Sequence, residues 1–273
     1  MDILHYTFFQ NALWSSLLIS IACGIVGTYI VTRRIVFISG GITHASFGGL
    51  GLGFYFGVNP LLSALLFAVV SAFGIEYFSH TGNYRQLRED SVIATVWSFG
   101  MAVGVVFIFL TPGYAPNLSA FLFGNILTVS HADLRWMAIL SAILVVLYVL
   151  GKRTLVYIAF DRDFALTQQV PVRFIEYLMM LLIAATIVLT IRLIGVMLLM
   201  SILTIPQMTA NLFTANYFKI TVASCLLGFT GCISGLFLSY FFNIPSGAFI
   251  ILVLIAIFLF AKIIRKCHKL RSP

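Results

Sequence analysis

Charged residues are scarce in this sequence: they make up 9% of its 273 residues, whereas 61% are hydrophobic. Soluble domains carry roughly 25% charged residues. A soluble core could not hide this much apolar surface, so the composition excludes an ordinary soluble protein. We predict an all-α integral membrane protein, a polytopic helical bundle of about 8–9 transmembrane helices with short or broken helices near a path.

The motifs of common soluble enzymes are also missing. The sequence contains no GxxxxGK[ST] phosphate loop, no HExxH and no GxSxG. We therefore predict that the chain is not an enzyme and binds neither ATP nor another cofactor. The net charge of +8 comes from cations in short loops, without a basic face interleaved with aromatics, so no nucleic-acid partner is expected.

Cysteine pairs and a secretory leader are absent as well. The four cysteines lack zinc-ligand spacing, and three of them lie inside apolar runs. We interpret them as small hydrophobic residues or free thiols. The first ten residues have no positive n-region and no cleavage site follows, so the first apolar run is predicted to be a retained span.

Long apolar runs fill the rest of the chain, and they predict one transmembrane domain over residues 1–273. Nine segments are long enough, or nearly so, to cross about 30 Å of hydrocarbon. Their approximate bounds are 11–32, 40–57, 60–79, 91–110, 133–151, 174–194, 195–213, 220–241 and 247–264.

The distribution of Lys and Arg predicts the orientation. If the basic C-terminal tail is cytoplasmic, nine crossings place the N-terminus outside. Only Arg135 and Arg192 then fall near the outer side. The loop cations that fall inside are Arg33, Arg34, Arg85, Arg88, Lys152, Arg153, Arg162, Arg173 and Lys219.

The second apolar segment carries the strongest candidate for chemistry, His44. Gly40, His44, Gly48 and Gly51 share one helical face, and Gly49, Gly53 and Gly57 form a second small-residue stripe. Glycine stripes allow close helix packing, which explains the glycines without any ligand. A histidine within the membrane is costly, and a neutral imidazole is a good ligand for a transition metal. A histidine satisfied by a neighbouring hydroxyl or carbonyl is the alternative.

Two further segments are candidates for a path and for a docking element. Pro206 bends a segment that also carries Gln207 and Thr209, so this segment either lines a path or is a kinked helix whose polar groups bond to neighbours. The loop 152–173 mixes charges with an apolar side and predicts partner docking. That apolar side consists of Phe160, Phe164, Ala165 and Leu166. The charged residues Glu76, His80 and Glu176 are expected at the membrane interface, reaching water.

Six stretches of this chain, in order, resemble the permease subunits of the metal-type ABC importers, the ZnuB/MntB-like zinc, manganese and iron branch. The stretch FLFGNILTVSHADL is the most specific of them. All six are 27–46, 89–108, 121–134, 160–172, 194–213 and 234–252.

The resemblance implies a permease in the plasma or inner membrane. Its implied partners are cytoplasmic ABC ATPase subunits, an extracytoplasmic metal-binding protein and a second permease copy, in a homodimer. ATP would bind the ATPase subunits, and the transported divalent metal would meet His44. The implied path or gate comprises Gly40, Thr43, Gly48, Pro206, Gln207 and Thr209. The implied ATPase-docking residues are Phe160, Asp161, Asp163, Phe164, Ala165 and Pro171.

The chain departs from the family pattern at three positions. Gly40 stands where an aspartate is usual, Asn243 where a second aspartate is usual, and Gln169 where a glycine is expected. A carboxylate suits manganese and an imidazole suits zinc, so loss of the aspartate favours zinc, with manganese or iron as alternatives. A permease for a metal chelate of the siderophore or cobalamin type, an intramembrane enzyme and a non-transporting scaffold are the other readings.

Overall fold

The computed structural model describes residues 5–80, 89–112, 124, 126–242 and 244–271, without the side chains of residues 80, 89 and 268–271. All predicted site residues lie within these ranges. Asn243 and the stretch 113–125, apart from Gly124, lie outside the described residues. The described part is helical and contains no strand, which confirms the all-α membrane fold.

Nine α-helices follow one another along the described chain. They are α1 (Thr7–Thr32), α2 (Val36–Phe56), α3 (Pro60–His80), α4 (Glu89–Leu110), α5 (His131–Phe160), α6 (Arg162–Thr167), α7 (Val172–Asn211), α8 (Tyr217–Phe242) and α9 (Ser246–Arg271), with a 3-10 turn at Ile126–Thr128 before α5.

Seven of the described helices are long and apolar enough to cross a membrane: α1, α3, α4, α5, α7, α8 and α9. The glycine-rich α2 is not among them, although its 21 residues have span length. In α7, the predicted segments 174–194 and 195–213 form one helical run of 40 residues. At about 1.5 Å per residue this run is about twice the hydrocarbon thickness. That both parts cross the membrane stays a prediction.

A backbone break divides α7 at Gly195. The residue has φ 77° and ψ 170°, a conformation that only glycine adopts readily. Gly124 lies directly against this break, since a Cβ on Gly124 would be 2.2 Å from the Gly195 nitrogen. Both positions therefore require glycine, one for its torsion angles and one for the close approach of two backbones.

The helices group into two compact units. One comprises Met1–Arg34, Ser119–Ala159 and Leu189–Pro273, and the other comprises Ile35–Leu118 and Phe160–Val188. The first unit therefore holds α1, α5, α8, α9 and the part of α7 from Leu189 onward. The second unit holds α2, α3, α4, α6 and the first part of α7. The prediction of a single domain over the whole chain is not tested by this grouping.

Several buried hydroxyls inside the first unit bond locally or to a neighbouring helix, whereas Thr190 Oγ1, Gln207 Oε1 and the Tyr217 hydroxyl have no partner among the described residues. Ser16, Ser20 and Thr28 of α1 donate to carbonyls four residues earlier, at 2.6–2.7 Å. Tyr148 of α5 donates to Thr221 of α8 at 3.1 Å. Such bonds reduce the cost of placing hydroxyls in lipid, so these helices remain compatible with a membrane despite their polar residues.

Candidate functional site

His44 lies on α2 in the second unit, where its imidazole is stacked on the indole of Trp97 from α4. The ring centroids are 4.3 Å apart and the ring planes differ by 7°. His44 is half-buried, and neither ring nitrogen has a hydrogen-bond partner among the residues that the structure describes. The structure therefore does not support a histidine satisfied by a neighbouring hydroxyl or carbonyl within the described chain.

Close packing of α2 against α4 at glycine positions brings His44 and Trp97 together. A Cβ on Gly100 would be 2.4 Å from the Cα of Ala45, and one on Gly51 would be 2.5 Å from the carbonyl oxygen of Gly104. Farther back along both helices, a Cβ on Gly41 would be 2.6 Å from Ile93 Cγ2. The residue numbers at these contacts increase in the same direction along both helices, so α2 and α4 run parallel. Trp97 then lies opposite His44.

The second glycine stripe of α2 faces α3. Cβ atoms on Gly49 and Gly53 would be 2.4 Å from the Ser63 carbonyl oxygen and 2.8 Å from the Pro60 Cα. The predicted packing role of these glycines is thus confirmed. Gly57 has another role: it ends α2 in the left-handed conformation, with φ 65°. Asn59 then accepts a bond from the Leu61 N–H at 3.0 Å and caps the start of α3.

The other predicted path residues of α2 surround His44 without adding charge. Gly40, Thr43 and Gly48 are all buried, and Gly48 would place a Cβ 2.8 Å from the Gly100 carbonyl oxygen. The Thr43 hydroxyl is buried and has no hydrogen-bond partner within the described residues. No group of three His, Cys, Asp or Glu residues that could hold a metal occurs in the described part.

Pro206, Gln207 and Thr209 lie on α7 in the first unit. Pro206 cannot donate to the Ile202 carbonyl, and the Gln207 Nε2 donates to that carbonyl at 3.2 Å and to the Cys23 carbonyl of α1 at 2.8 Å. Gly27 makes room for this amide, since a Cβ there would be 2.4 Å from the Nε2. Thr209 donates to the Ile205 carbonyl at 2.7 Å. The Gln207 amide nitrogen and the Thr209 hydroxyl are thus bonded, whereas the buried Gln207 Oε1 has no partner among the described residues. A path-lining role for these residues stays a prediction.

The predicted docking loop contains the short helix α6, which is capped by Asp161. The Asp161 carboxylate accepts a bond from the Phe164 N–H at 2.9 Å. Ala165 is fully buried, whereas Phe160, Phe164 and Pro171 are exposed. This segment thus presents exposed aromatic side chains beside the buried Ala165, and its role in docking stays a prediction.

An ion pair joins α6 to the start of α7. Arg162 Nε lies 2.9 Å from Glu176 Oε1, and Arg162 Nη2 lies 3.3 Å from Oε2. Glu176 is 1% exposed, so the expectation that it reaches water at the membrane interface is wrong. Glu76 is likewise buried. The side chain of His80 lies outside the described residues.

The backbone conformation at Gln169 gives a physical reason for the glycine that the family resemblance leads us to expect at this position. The φ of Gln169 is +56°, in the left-handed region, and its N–H donates to the Leu166 carbonyl as α6 ends. Glycine adopts this conformation without strain, whereas glutamine pays roughly 1–2 kcal/mol for it. The turn thus forms in this chain with glutamine in the left-handed position.

Sequence reasoning did not identify Trp97, Gly100, Gly104 or the pairing of Arg162 with Glu176. A single sequence gives the face of each helix but not the register between two helices, so the partner of His44 stayed unknown. The glycines at 100 and 104, four residues apart, were the available signal for close packing of α4.

The fold defines a polytopic helical membrane protein, and the comparisons define its class as transport. Residues 5–265 match the ABC 3 transport family, to which the chain belongs. An uncharacterized membrane protein of Synechocystis is 40% identical over 92% of this chain and 88% of that protein. The manganese transport system membrane protein MntC of Halalkalibacterium halodurans is 30% identical over 95% of this chain and 88% of that protein. Among solved structures, PsaBC from Streptococcus pneumoniae in complex with Fab superposes with a TM-score of 0.83 at 28% identity, covering 95% of this chain and 92% of that chain.

Proposed function

We propose that this chain is the membrane-spanning permease subunit of an ABC importer that moves a divalent metal ion, with zinc favoured, into the cytoplasm. The observation that carries the proposal is His44, a half-buried imidazole without a hydrogen-bond partner in the described chain, on a tightly packed helix of a transport-family protein. Such a group is available to ligate a passing cation.

Donor chemistry supports zinc over manganese. Gly40 supplies no carboxylate beside His44, and an imidazole suits zinc better than it suits the harder manganese ion. The relative named a manganese transport system membrane protein favours manganese as the second candidate. A permease for a metal chelate remains the alternative cargo class.

The proposed assembly has three further components. ATP hydrolysis belongs to separate cytoplasmic ATPase subunits, which dock on the exposed residues Phe160, Asp161, Asp163, Phe164 and Pro171, while the buried Ala165 supports this surface from inside. An extracytoplasmic binding protein delivers the metal. A second permease copy completes a homodimer and offers a second His44, while the described part of one chain holds no group of three His, Cys, Asp or Glu residues for a metal. The gate residues remain Gly40, Thr43, Gly48, Pro206, Gln207 and Thr209.

Metal-dependent ATPase activity of the reconstituted complex, with its ATPase and binding protein, tests the proposal. Zinc, manganese and iron(II) are compared in the same vesicles. We expect stimulation by one metal and expect zinc to stimulate most. An intact complex that no metal stimulates would contradict metal import and would direct the search to a chelate.

His44→Ala tests the ligand directly. Removal of the imidazole should lower metal uptake by about 10-fold or more, by analogy with the effect of disturbing metal-site groups, while assembly persists. The matched control is His131→Ala, because His131 is exposed at the start of α5. Full uptake by the His44 variant would exclude the ligand role.

A further inference from the structure

His44 needs an external constraint on its ring, and the structure offers one. The second side-chain torsion of histidine is intrinsically broad, so a ligating imidazole is usually fixed by a hydrogen bond from its other nitrogen. No such bond is made by His44 within the described residues. Its one ring contact there is the stack on Trp97, at 4.3 Å and 7°.

The stack fixes the ring without blocking its nitrogens. Imidazole lone pairs lie in the ring plane, whereas the indole covers a face of the ring. A metal can therefore approach the edge of His44 while Trp97 stays in place. The indole itself supplies no lone pair for a metal, so its contribution is orientation.

The backbone holds Trp97 at this position. Gly41 against Ile93 on one side, and Gly100 against Ala45 on the other, set the register of α2 and α4 around the stacked pair. With these glycine contacts the two helix backbones cannot slide without collision. The stack is thus a consequence of rigid elements and does not depend on loops.

We propose that Trp97 is the positioning residue of His44: its indole stacks on the imidazole and holds the ring edge toward the transported metal. The proposal rests on the proposed function of His44 as a transient ligand. It assigns to α4 a part in metal binding through the orientation of His44.

Tryptophan fluorescence reports whether zinc reaches the stacked pair. The chain has three tryptophans, and Trp14 and Trp136 are 61% and 62% exposed, so Trp14→Phe with Trp136→Phe leaves Trp97 as the sole reporter. Zn²⁺ alone is titrated into this purified protein in nanodiscs. Ligation places positive charge on the stacked ring, which should shift Trp97 emission through the indole π-system. We expect a saturable change that disappears with His44→Ala.

Uptake kinetics separate positioning from packing. In the reconstituted complex, Trp97→Leu should raise the KM for Zn²⁺ about 10-fold, since loss of a residue that orients a ligand weakens metal sites by this order. Trp97→Phe keeps an aromatic face and should recover most of that loss. Trp136→Leu, the same type of change at an exposed site, should leave the KM unchanged.

The outcomes are distinguishable. A His44-dependent emission change, with a raised KM in Trp97→Leu and recovery in Trp97→Phe, supports the proposal. Wild-type KM in Trp97→Leu, while His44→Ala abolishes uptake, overturns positioning and leaves the ligand role intact. Normal uptake by His44→Ala overturns both. If Trp97→Leu fails to assemble, Trp97→Met takes its place, and a parent KM in that variant overturns positioning.

Discussion

At the scale of single residues, close backbone approach is the most demanding feature of the site. Gly100 lies so near Ala45 that a Cβ would be 2.4 Å from the Ala45 Cα, so the two helix backbones would have to separate to admit it. Gly74 in α3 has no atom within 4 Å of its Cβ position. The two glycines therefore differ in packing while sharing a helical setting.

Gly100→Ala should lower stability, and Gly74→Ala should not. Overpacking costs typically about 1–3 kcal/mol, against a helix-propensity gain of about 1 kcal/mol for Gly→Ala. We expect a lower thermal midpoint in detergent for Gly100→Ala and an unchanged or higher one for Gly74→Ala. Equal midpoints would show that α2 and α4 do not pack this closely.

Single residues also show how much of the site can be predicted from one sequence. The helical spacing of Gly48, Gly49, Gly51 and Gly53 was sufficient to predict packing, because a period of 3.6 residues is a local property. The stack of His44 on Trp97 was not predictable, because it depends on the register between α2 and α4. That register is fixed by matching shapes on two helices distant in sequence.

At the scale of elements, the short helix α6 is linked to α7 by a two-bond ion pair. The Arg162 guanidinium contacts both Glu176 oxygens, a geometry that lysine cannot reproduce. Glu176 is buried and Arg162 is about one-third exposed. A force applied to α6 would therefore be carried into α7 through this pair as well as through the chain itself.

Arg162→Ala should weaken this link. Hydrogen bonds to charged groups contribute about 1.5–3 kcal/mol, so the variant should loosen α6 and lower metal uptake per ATP hydrolysed in the reconstituted complex. Arg173→Ala is the matched control, since Arg173 is exposed in the same loop.

Unchanged coupling in Arg162→Ala would show that α6 transmits force without the ion pair. Recovery by Arg162→Lys to the parent level would contradict the importance of the two-bond geometry.

Helix α7 shows what hydropathy alone cannot predict at the scale of elements. Hydropathy marked two apolar segments that meet near residue 195, and the structure has one helical run with a backbone break at Gly195. A short apolar loop and a single glycine in an unusual conformation both leave the apolar pattern uninterrupted. Hydropathy therefore could not distinguish the two. The contact of Gly124 with the break is a long-range feature with no local signal.

At the scale of the whole molecule, the orientation in the membrane decides whether the proposed docking element can meet an ATPase. The excess of Lys and Arg in one set of loops predicts that the docking loop and the C-terminal tail share the cytoplasmic side. The chain contains its own reporter for this prediction. Cys267 in the tail is exposed, Cys23 and Cys232 are buried, and Cys225 is half-buried within α8.

A membrane-impermeant maleimide should therefore label the native protein in inverted vesicles but not in sealed right-side-out cells, because only Cys267 is both exposed and outside the apolar core. Cys267→Ser should abolish the labelling and so confirm its source. In that background His5→Cys, an exposed position before α1, should be labelled from outside, since an odd number of crossings separates it from the tail. Labelling of Cys267 from outside would place α6 on the wrong side for a cytoplasmic ATPase and would overturn the docking proposal. Labelling of both sites from one side would instead require an even number of crossings, with α2 or one part of α7 failing to span the membrane.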